Sequence, residues 1–374
     1  MIYLDTNATA PMKPAVRIAV IEAMERWGNA SSVHRYGRTT RRYREEARAA
    51  VAAMVDVKPS QVVFTSGATE ANATILHNFA AMPVAVSAIE HDSVLANASQ
   101  AARLPVTPSG ILDLMAADEI LRAMKPGLVS VMLVNNETGI IQPVAELAVI
   151  AKKYGHKVHC DAVQAAGRLP LSLRELGVDA LSLSSHKVGG PQGMGALVVD
   201  EKLALQPIIR GGGQEMNRRA GTENLPGICG FGVAAQLAAD DLRDATRLTA
   251  WRNELQAELV QAGGQDTVVI GDTAPRVANT LCIAMPGVSS ETQVAAMDLA
   301  GIAVSAGAAC SSGKVKISHV LRAMGYGDDV AGSALRLSLG WHNKQEDIAR
   351  CVSAWRDVYQ RAKNNQYNRS TQAA

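Results

Sequence analysis

What most constrains this chain is a series of short apolar runs that lack clean polar alternation and are spaced by helix-length segments. Between about residues 14 and 240 they are "VVFT" (62–65), "VAVSAI" (84–89), "LVSVMLV" (128–134), "KVHC" (157–160), "ALSLSS" (180–185) and "ALVVD" (196–200). A strand with one wet face alternates apolar and polar residues; a strand covered on both faces has no need to. The pattern predicts an α/β fold with a large, mostly parallel or mixed sheet, and such sheets bind ligands at the loops beyond their strand ends. After a long helical stretch (224–260) the runs become sparser: "NTLCIAM" (279–285), "IAVSAG" (302–307) and "ALRLSL" (334–339). The change of spacing predicts a large domain over 14–244 and a smaller α+β domain built from 1–13 together with 245–374.

Composition narrows the classes of function. A chain with 48% hydrophobic and 19% charged residues and a net charge of +2 is neither disordered nor a polycation, so direct nucleic-acid binding is not expected. The arginine-rich "RYGRTTRRYREEARAA" (35–50) is interrupted by Glu45 and Glu46 at helical spacing and reads as a solvated helix face. Met1 leads straight into "IYLD", and nowhere do eighteen apolar residues run without a charge or turn signal, so the reading places the protein in the cytoplasm, off the membrane. Five scattered cysteines form no C-x-x-C pair, which predicts neither a disulfide framework nor a metal site. The polar tail "KNNQYNRSTQAA" is expected to fray.

Chemistry gathers at the strand ends. "SGATEAN" (66–72) offers small residues, the Thr69 hydroxyl and a helix N-terminus to an anion, although small residues also serve as plain caps. His91 stands just past one apolar run, Asn136 in "NNETG" past another, and Asp161 past a third with Gln164 one turn on. Lys187 follows "ALSLSS" and precedes the glycine-rich "VGGPQGMG", an unusual place for a lysine unless its amine has work to do there. Taken singly, each residue has a structural reading as a cap, a surface histidine or a lysine that snorkels to solvent. Taken together they suit pyridoxal 5'-phosphate, which needs an amine for its aldehyde, a carboxylate at its pyridinium nitrogen, a stacking ring, a donor for its phenolate oxygen and a hydroxyl-rich phosphate cradle.

The motifs "YLDTNATAP" (3–11), "GNASSVHRYGR" (28–38), "TSGATEAN" (65–72), "NNETG" (135–139), "CDAVQAAG" (160–167), "SSHKVGGPQGMGAL" (184–197), "RGGGQEMNRRAGTEN" (210–224), "AGAACSSG" (306–313) and "ALRLSLG" (334–340) run collinearly from residue 3 to about 340. In these the chain resembles the NifS/IscS-like cysteine desulfurases of the class V aminotransferase family, which are fold type I pyridoxal phosphate enzymes. The resemblance implies conversion of L-cysteine to L-alanine, with the sulfur taken by Cys310 as a persulfide and passed to a protein acceptor such as an iron–sulfur scaffold. It implies Lys187 as the amine that holds the cofactor and then serves as base, Asp161 at the pyridinium, His91 stacked on the ring as acid or base, and Gln164 at the ring oxygen. Asn136 lies beside cofactor and substrate, while Ala68, Thr69, Ser184 and His186 hold the phosphate. Thr222 reaches the phosphate of a partner subunit, hence a homodimer, and Arg336 with Asn7 receives the substrate carboxylate. Gly307 and Gly313 around Cys310 permit a loop that reaches in and swings out.

The sequence departs from that pattern at Thr6, Ala10 and Ala73, and at "HDSV" (91–94), where the reading assigns the residues after the histidine no mechanistic effect. The chain also ends in a polar tail where related housekeeping enzymes extend a region that docks a scaffold, which leaves the acceptor open. The competing reading within the family is a selenocysteine lyase or another class V enzyme that uses the same lysine without sulfur transfer, and Cys310 discriminates between them. A scaffold protein without catalysis would have lost Lys187, Asp161 or Arg336, and a nucleotide site is excluded because "GGPQGMG" and "RGGGQE" have neither phosphate-loop nor dinucleotide spacing.

Overall fold

The computed structural model describes residues 1–307 and 317–372, with side chains up to residue 364. β1 (Ile2–Tyr3) opens the chain. β2 (Val62–Thr65), β3 (Val84–Ser87), β4 (Ala102–Leu104), β5 (Leu128–Met132), β6 (Lys157–Asp161), β7 (Ala180–Ser184) and β8 (Gly195–Val199) form a seven-stranded sheet in the order β2-β8-β7-β6-β5-β3-β4. The pairings among β3, β4, β5, β6 and β7 are parallel, and among these strands β8 alone runs against its neighbours. Every residue of β2, β5, β7 and β8 is buried, which is why their sequences show no polar alternation. β4 escaped the sequence reading because "ARL" is a half-exposed edge strand too short to show a pattern.

The remaining strands are β9 (Val268–Val269), β10 (Thr280–Ala284), β11 (Ile302–Ala303), β12 (Ser305–Ala306) and β13 (Ala334–Ser338). β12-β13-β10-β9 form an antiparallel sheet, while β11 pairs in parallel with β1. The run "IAVSAG", read as one strand, is thus shared between two sheets that meet at Val304. Around them Ile2, Leu4, Leu255, Leu281, Leu337 and Trp355 pack into one core, so the first residues of the chain are buried with its last third. The helical stretch 224–260 is two helices, Leu225–Arg243 and Ala245–Gly263, joined at Asp244. The first packs on helices Pro14–Met24 and Arg35–Met54. The approach is close: a Cβ on Gly232 would stand 2.6 Å from Ala47.

Two expectations are corrected. The arginine-rich helix Arg35–Met54 is not simply a solvated face, because Arg48 is 2% exposed and pairs through Nη1 and Nη2 with both oxygens of Glu215, at 2.6 and 2.7 Å. Glu215 also accepts from the Phe64 amide at 2.8 Å, which ties the 210–224 loop to β2. The loop makes that reach with three consecutive residues at positive φ, Glu215, Met216 and Asn217. The polar tail, expected to fray, continues the helix Gln345–Gln372. That segment holds neither glycine nor proline, and its early turns are anchored in the core by Ile348, Cys351, Val352 and Trp355.

Candidate active site

The carboxyl ends of the parallel strands open into a cavity of about 640 Å³, within the roughly 300–1,000 Å³ range usual for small-molecule sites. Of the residues singled out from the sequence, Asn7, Ala68, Thr69, His91, Asn136, Asp161, Gln164, Ser184, His186, Lys187 and Arg336 all line it. Asp161 and Ser184 are the last residues of β6 and β7; His91 stands four residues beyond β3 and Asn136 four beyond β5. The parallel pairing of these strands therefore brings together residues nearly a hundred positions apart. Thr222 is not among them. It is exposed and lines a neighbouring cavity of about 150 Å³ that shares a wall of Ser66, Gly193 and Met194 with the first. Cys310 lies outside the described residues.

Lys187 ends a short turn after β7, and its Nζ donates to the carbonyls of Asn7 at 2.6 Å and Ala8 at 2.8 Å. The turn closes tightly because Gly190 sits against Ser185, where a Cβ would stand 2.1 Å from its Oγ. Asp161 accepts from Asn72 Nδ2 at 2.8 Å and from the Val163 amide at 3.0 Å, so the carboxylate is held from both sides. Gln164 donates from Nε2 to Asn7 O at 3.0 Å while its Oε1 accepts from Arg168, which fixes the orientation of the amide. His186 faces Thr9 Oγ1 at 3.1 Å; burial, with Lys187 adding to it, lowers its pKa to about 4, so the ring is neutral at neutral pH.

Arg336, in β13, is 3% exposed. Its Nη2 pairs with Asp5 at 2.7 Å and its Nη1 donates to Asn136 O at 3.0 Å, while its buried Nε has no partner among the described residues. Asn7 is held by Thr280 and Asn279, and its side chain donates to Asn136 O at 3.2 Å. Around this wall lie buried groups that sequence reasoning did not single out. Glu90 is fully buried, accepts at Oε1 from the Ser87 hydroxyl and the Met132 amide, and burial raises its pKa to about 8. His159 bridges Ser130 and Ser182 across three strands, and burial lowers its pKa to about 3. Glu137, its pKa raised by burial, accepts the Ser318 hydroxyl at 2.5 Å. Asn72 and Ser93 link Asp161 to His91; Asn72 closes "TSGATEAN" and Ser93 falls in the departing "HDSV", yet neither was singled out.

The arrangement fits pyridoxal phosphate. Gly67 and Gly193 line the wall beside Thr69 and the N-terminus of the helix Ala68–Asn78, and an added Cβ on either would meet nothing within 4 Å. The bare backbone thus leaves room for an anion beside Thr69 and the helix N-terminus. A lysine and a buried carboxylate share the same wall.

Residues 2–351 match the family described as Aminotransferase class-V. The chain belongs to the class V aminotransferase family. Among curated class V relatives it is 41% identical over 367 residues to a cysteine desulfurase of Sinorhizobium fredii, covering 94% of each chain. It is 37% identical over 364 residues to the cysteine desulfurase IscS of Dictyoglomus turgidum, covering 93% of this chain and 91% of that one. The solved structure of a NifS-like protein from Rickettsia africae superposes with a TM-score of 0.90 at 34% identity, over 96% of this chain and 99% of that one. The class V assignment carries the fold type I architecture with it. Among the described residues no helix is long and apolar enough to cross a membrane.

Proposed function

We propose that this class V protein is a cysteine desulfurase that converts L-cysteine to L-alanine and passes the sulfur, through a persulfide on Cys310, to a protein acceptor. The observation that carries the reading is the convergence of Lys187, Asp161 and Arg336 on one cavity, since an amine, a buried carboxylate and a buried guanidinium are what a pyridoxal phosphate enzyme needs for an amino-acid substrate. The relatives named cysteine desulfurase at 37–41% identity support the choice of substrate. When bound, pyridoxal phosphate supplies an electrophilic carbonyl and a ring that delocalises negative charge from the substrate's Cα.

Thr69, Ser184 and His186 hold the phosphate, with the backbone at Ala68. Asp161, fixed by Asn72 and Val163, would pair with the ring nitrogen. Gln164 would meet the ring oxygen, and His91 would cover the ring face. Lys187 would hold the cofactor, and its amine, oriented by the carbonyls of Asn7 and Ala8, would serve as the base for the Cα proton. Arg336, with Asn7 and Asn136 beside it, receives the substrate carboxylate, and its buried Nε, without a partner among the described residues, supports that role. The Cys310 thiolate attacks the substrate sulfur; the Cβ–S bond breaks, one S–S bond forms, and the carbon fragment leaves as alanine after protonation. Thr222, exposed beside the second cavity, serves the phosphate of a partner subunit in a homodimer. Residues 14–244 form the cofactor domain, and 1–13 with 245–374 the domain that carries Cys310 and Arg336. We place the enzyme in the cytoplasm.

The test is incubation of the cofactor-loaded protein with L-cysteine and a thiol reductant, followed by amino-acid analysis. Alanine and sulfide in equal amounts are expected. Pyruvate and ammonia in their place, or no turnover, would refute the reading.

A further inference from the structure

Asp161 and His91 belong to different strand ends, yet an unbroken set of hydrogen bonds joins them. Asn72, fully buried in the helix Ala68–Asn78, uses the two hydrogens of one Nδ2 to reach Asp161 Oδ2 at 2.8 Å and Ser93 Oγ at 2.9 Å. Its orientation is fixed, because a flipped amide would set Oδ1 against the carboxylate. The structure accepts an Oδ1 with no partner among the described residues to keep both N–H bonds in place. The Ser93 hydroxyl, accepting from Asn72, lies 2.8 Å from His91 Nδ1.

The same ring nitrogen has a second and unambiguous donor. His91 caps the helix Asp92–Leu95 and accepts the Ser93 amide at 3.0 Å. A backbone N–H donates and cannot accept, so Nδ1 presents a lone pair and the neutral ring carries its hydrogen on Nε2. Among the described residues, the charged and titratable groups around the ring include Glu90 and Asp92 on either side of it in the chain, Asp161 across the bridge, Lys187 on the cavity wall, and His319, whose Nε2 meets Glu90 O at 3.0 Å.

We propose that Asn72 and Ser93 are positioning residues: they form a bridge from Asp161 to His91 that holds the imidazole as its Nε2–H tautomer, the neutral form in which His91 would cover the cofactor ring. This deepens the proposed function and rests on it for the role of the bridge in turnover. It also gives "HDSV" a purpose, since the hydroxyl of Ser93 completes a link that an aliphatic residue would leave open.

The test uses the cofactor-loaded protein labelled with ¹⁵N-histidine, with the His91 signals assigned by their loss in His91→Gln. At neutral pH, Nδ1 is expected in the unprotonated, pyridine-like shift range and Nε2 in the protonated range. Both nitrogens protonated, or the reverse tautomer, would overturn the proposal. In Ser93→Ala the His91 signals are expected to move and kcat for cysteine to fall about 3- to 10-fold, the scale of one lost hydrogen bond, with KM nearly unchanged. Ser93→Thr, which keeps the hydroxyl, is expected to restore both. Unmoved His91 signals in Ser93→Ala together with wild-type kcat would also overturn it. The tautomer is read without turnover, so a protein inactive toward cysteine would refute the proposed function while the bridge is still judged on its spectrum.

Discussion

Lys187 Nζ lies 2.6 Å from the backbone carbonyl of Asn7, a residue 180 positions away whose own side chain is anchored on Thr280 and Asn279. The amine at the end of β7 is therefore aimed by the first segment of the chain, which is packed against the last third. Two backbone carbonyls, those of Asn7 and Ala8, thus orient the amine on the wall of the cavity. Lys187→Ala is expected to lower turnover of cysteine by at least about 10³-fold, because both cofactor attachment and proton transfer are lost. Borohydride reduction followed by peptide mapping checks the attachment: the cofactor should be fixed to the Lys187 peptide in the wild type and to no peptide in the variant.

The Arg336–Asp5 pair predicts a loss confined to substrate binding and orientation. Arg336→Lys keeps the charge but not the planar fork, and kcat/KM for L-cysteine is expected to fall roughly 10- to 100-fold, the scale of a charge-assisted hydrogen bond. Visible absorbance of the bound cofactor should be unchanged. Steady-state kinetics beside a spectrum separates the two effects.

Much of this was legible in the sequence, and the reasons are physical. Strands buried on both faces announce themselves as unbroken apolar runs, and the residues directly after them must lie at one edge of a parallel sheet. That logic placed His91, Asp161 and Lys187 on one wall. It could not place Arg48, whose partner Glu215 is 167 positions away in a loop held at positive φ, because helical spacing shows near neighbours and nothing of tertiary ones. It likewise missed Ser93 and Asn72. Their importance lies in the hydrogens they direct, and a small polar residue beside a motif gives no sign of that.

The Arg48–Glu215 pair carries a prediction about stability. Both side chains are almost wholly buried, so Glu215→Ala removes the buried carboxylate from Arg48, which keeps Glu45 and the Val62 carbonyl, and leaves the Phe64 amide unpaired. Breaking one partner of a buried pair costs about 3–5 kcal/mol, and a fall in Tm on the order of ten degrees is expected by calorimetry. A double variant with Arg48→Met should lose less than Glu215→Ala alone.

Glu90 makes stability depend on pH in an uncommon direction. Its carboxyl ionises near pH 8 in the folded protein and near 4.5 in the unfolded chain. Between those values the folded state binds the extra proton, so this group's contribution to stability is fully present below the unfolded pKa and is lost as pH rises through about 8. Glu90→Gln, which mimics the protonated form, is expected to gain Tm relative to the wild type progressively from pH 5 to pH 8. A difference in Tm that stays flat over that range would show that Glu90 ionises normally.

The central claim is that sulfur leaves cysteine onto a thiol of this chain. Mass spectrometry of the peptide containing Cys310, after the cofactor-loaded protein has met L-cysteine without reductant, tests it most directly. One added sulfur atom on Cys310, with alanine released in proportion, is the predicted result. An unmodified Cys310 peptide alongside alanine production, or a Cys310→Ala variant that desulfurates cysteine at the wild-type rate, would contradict it.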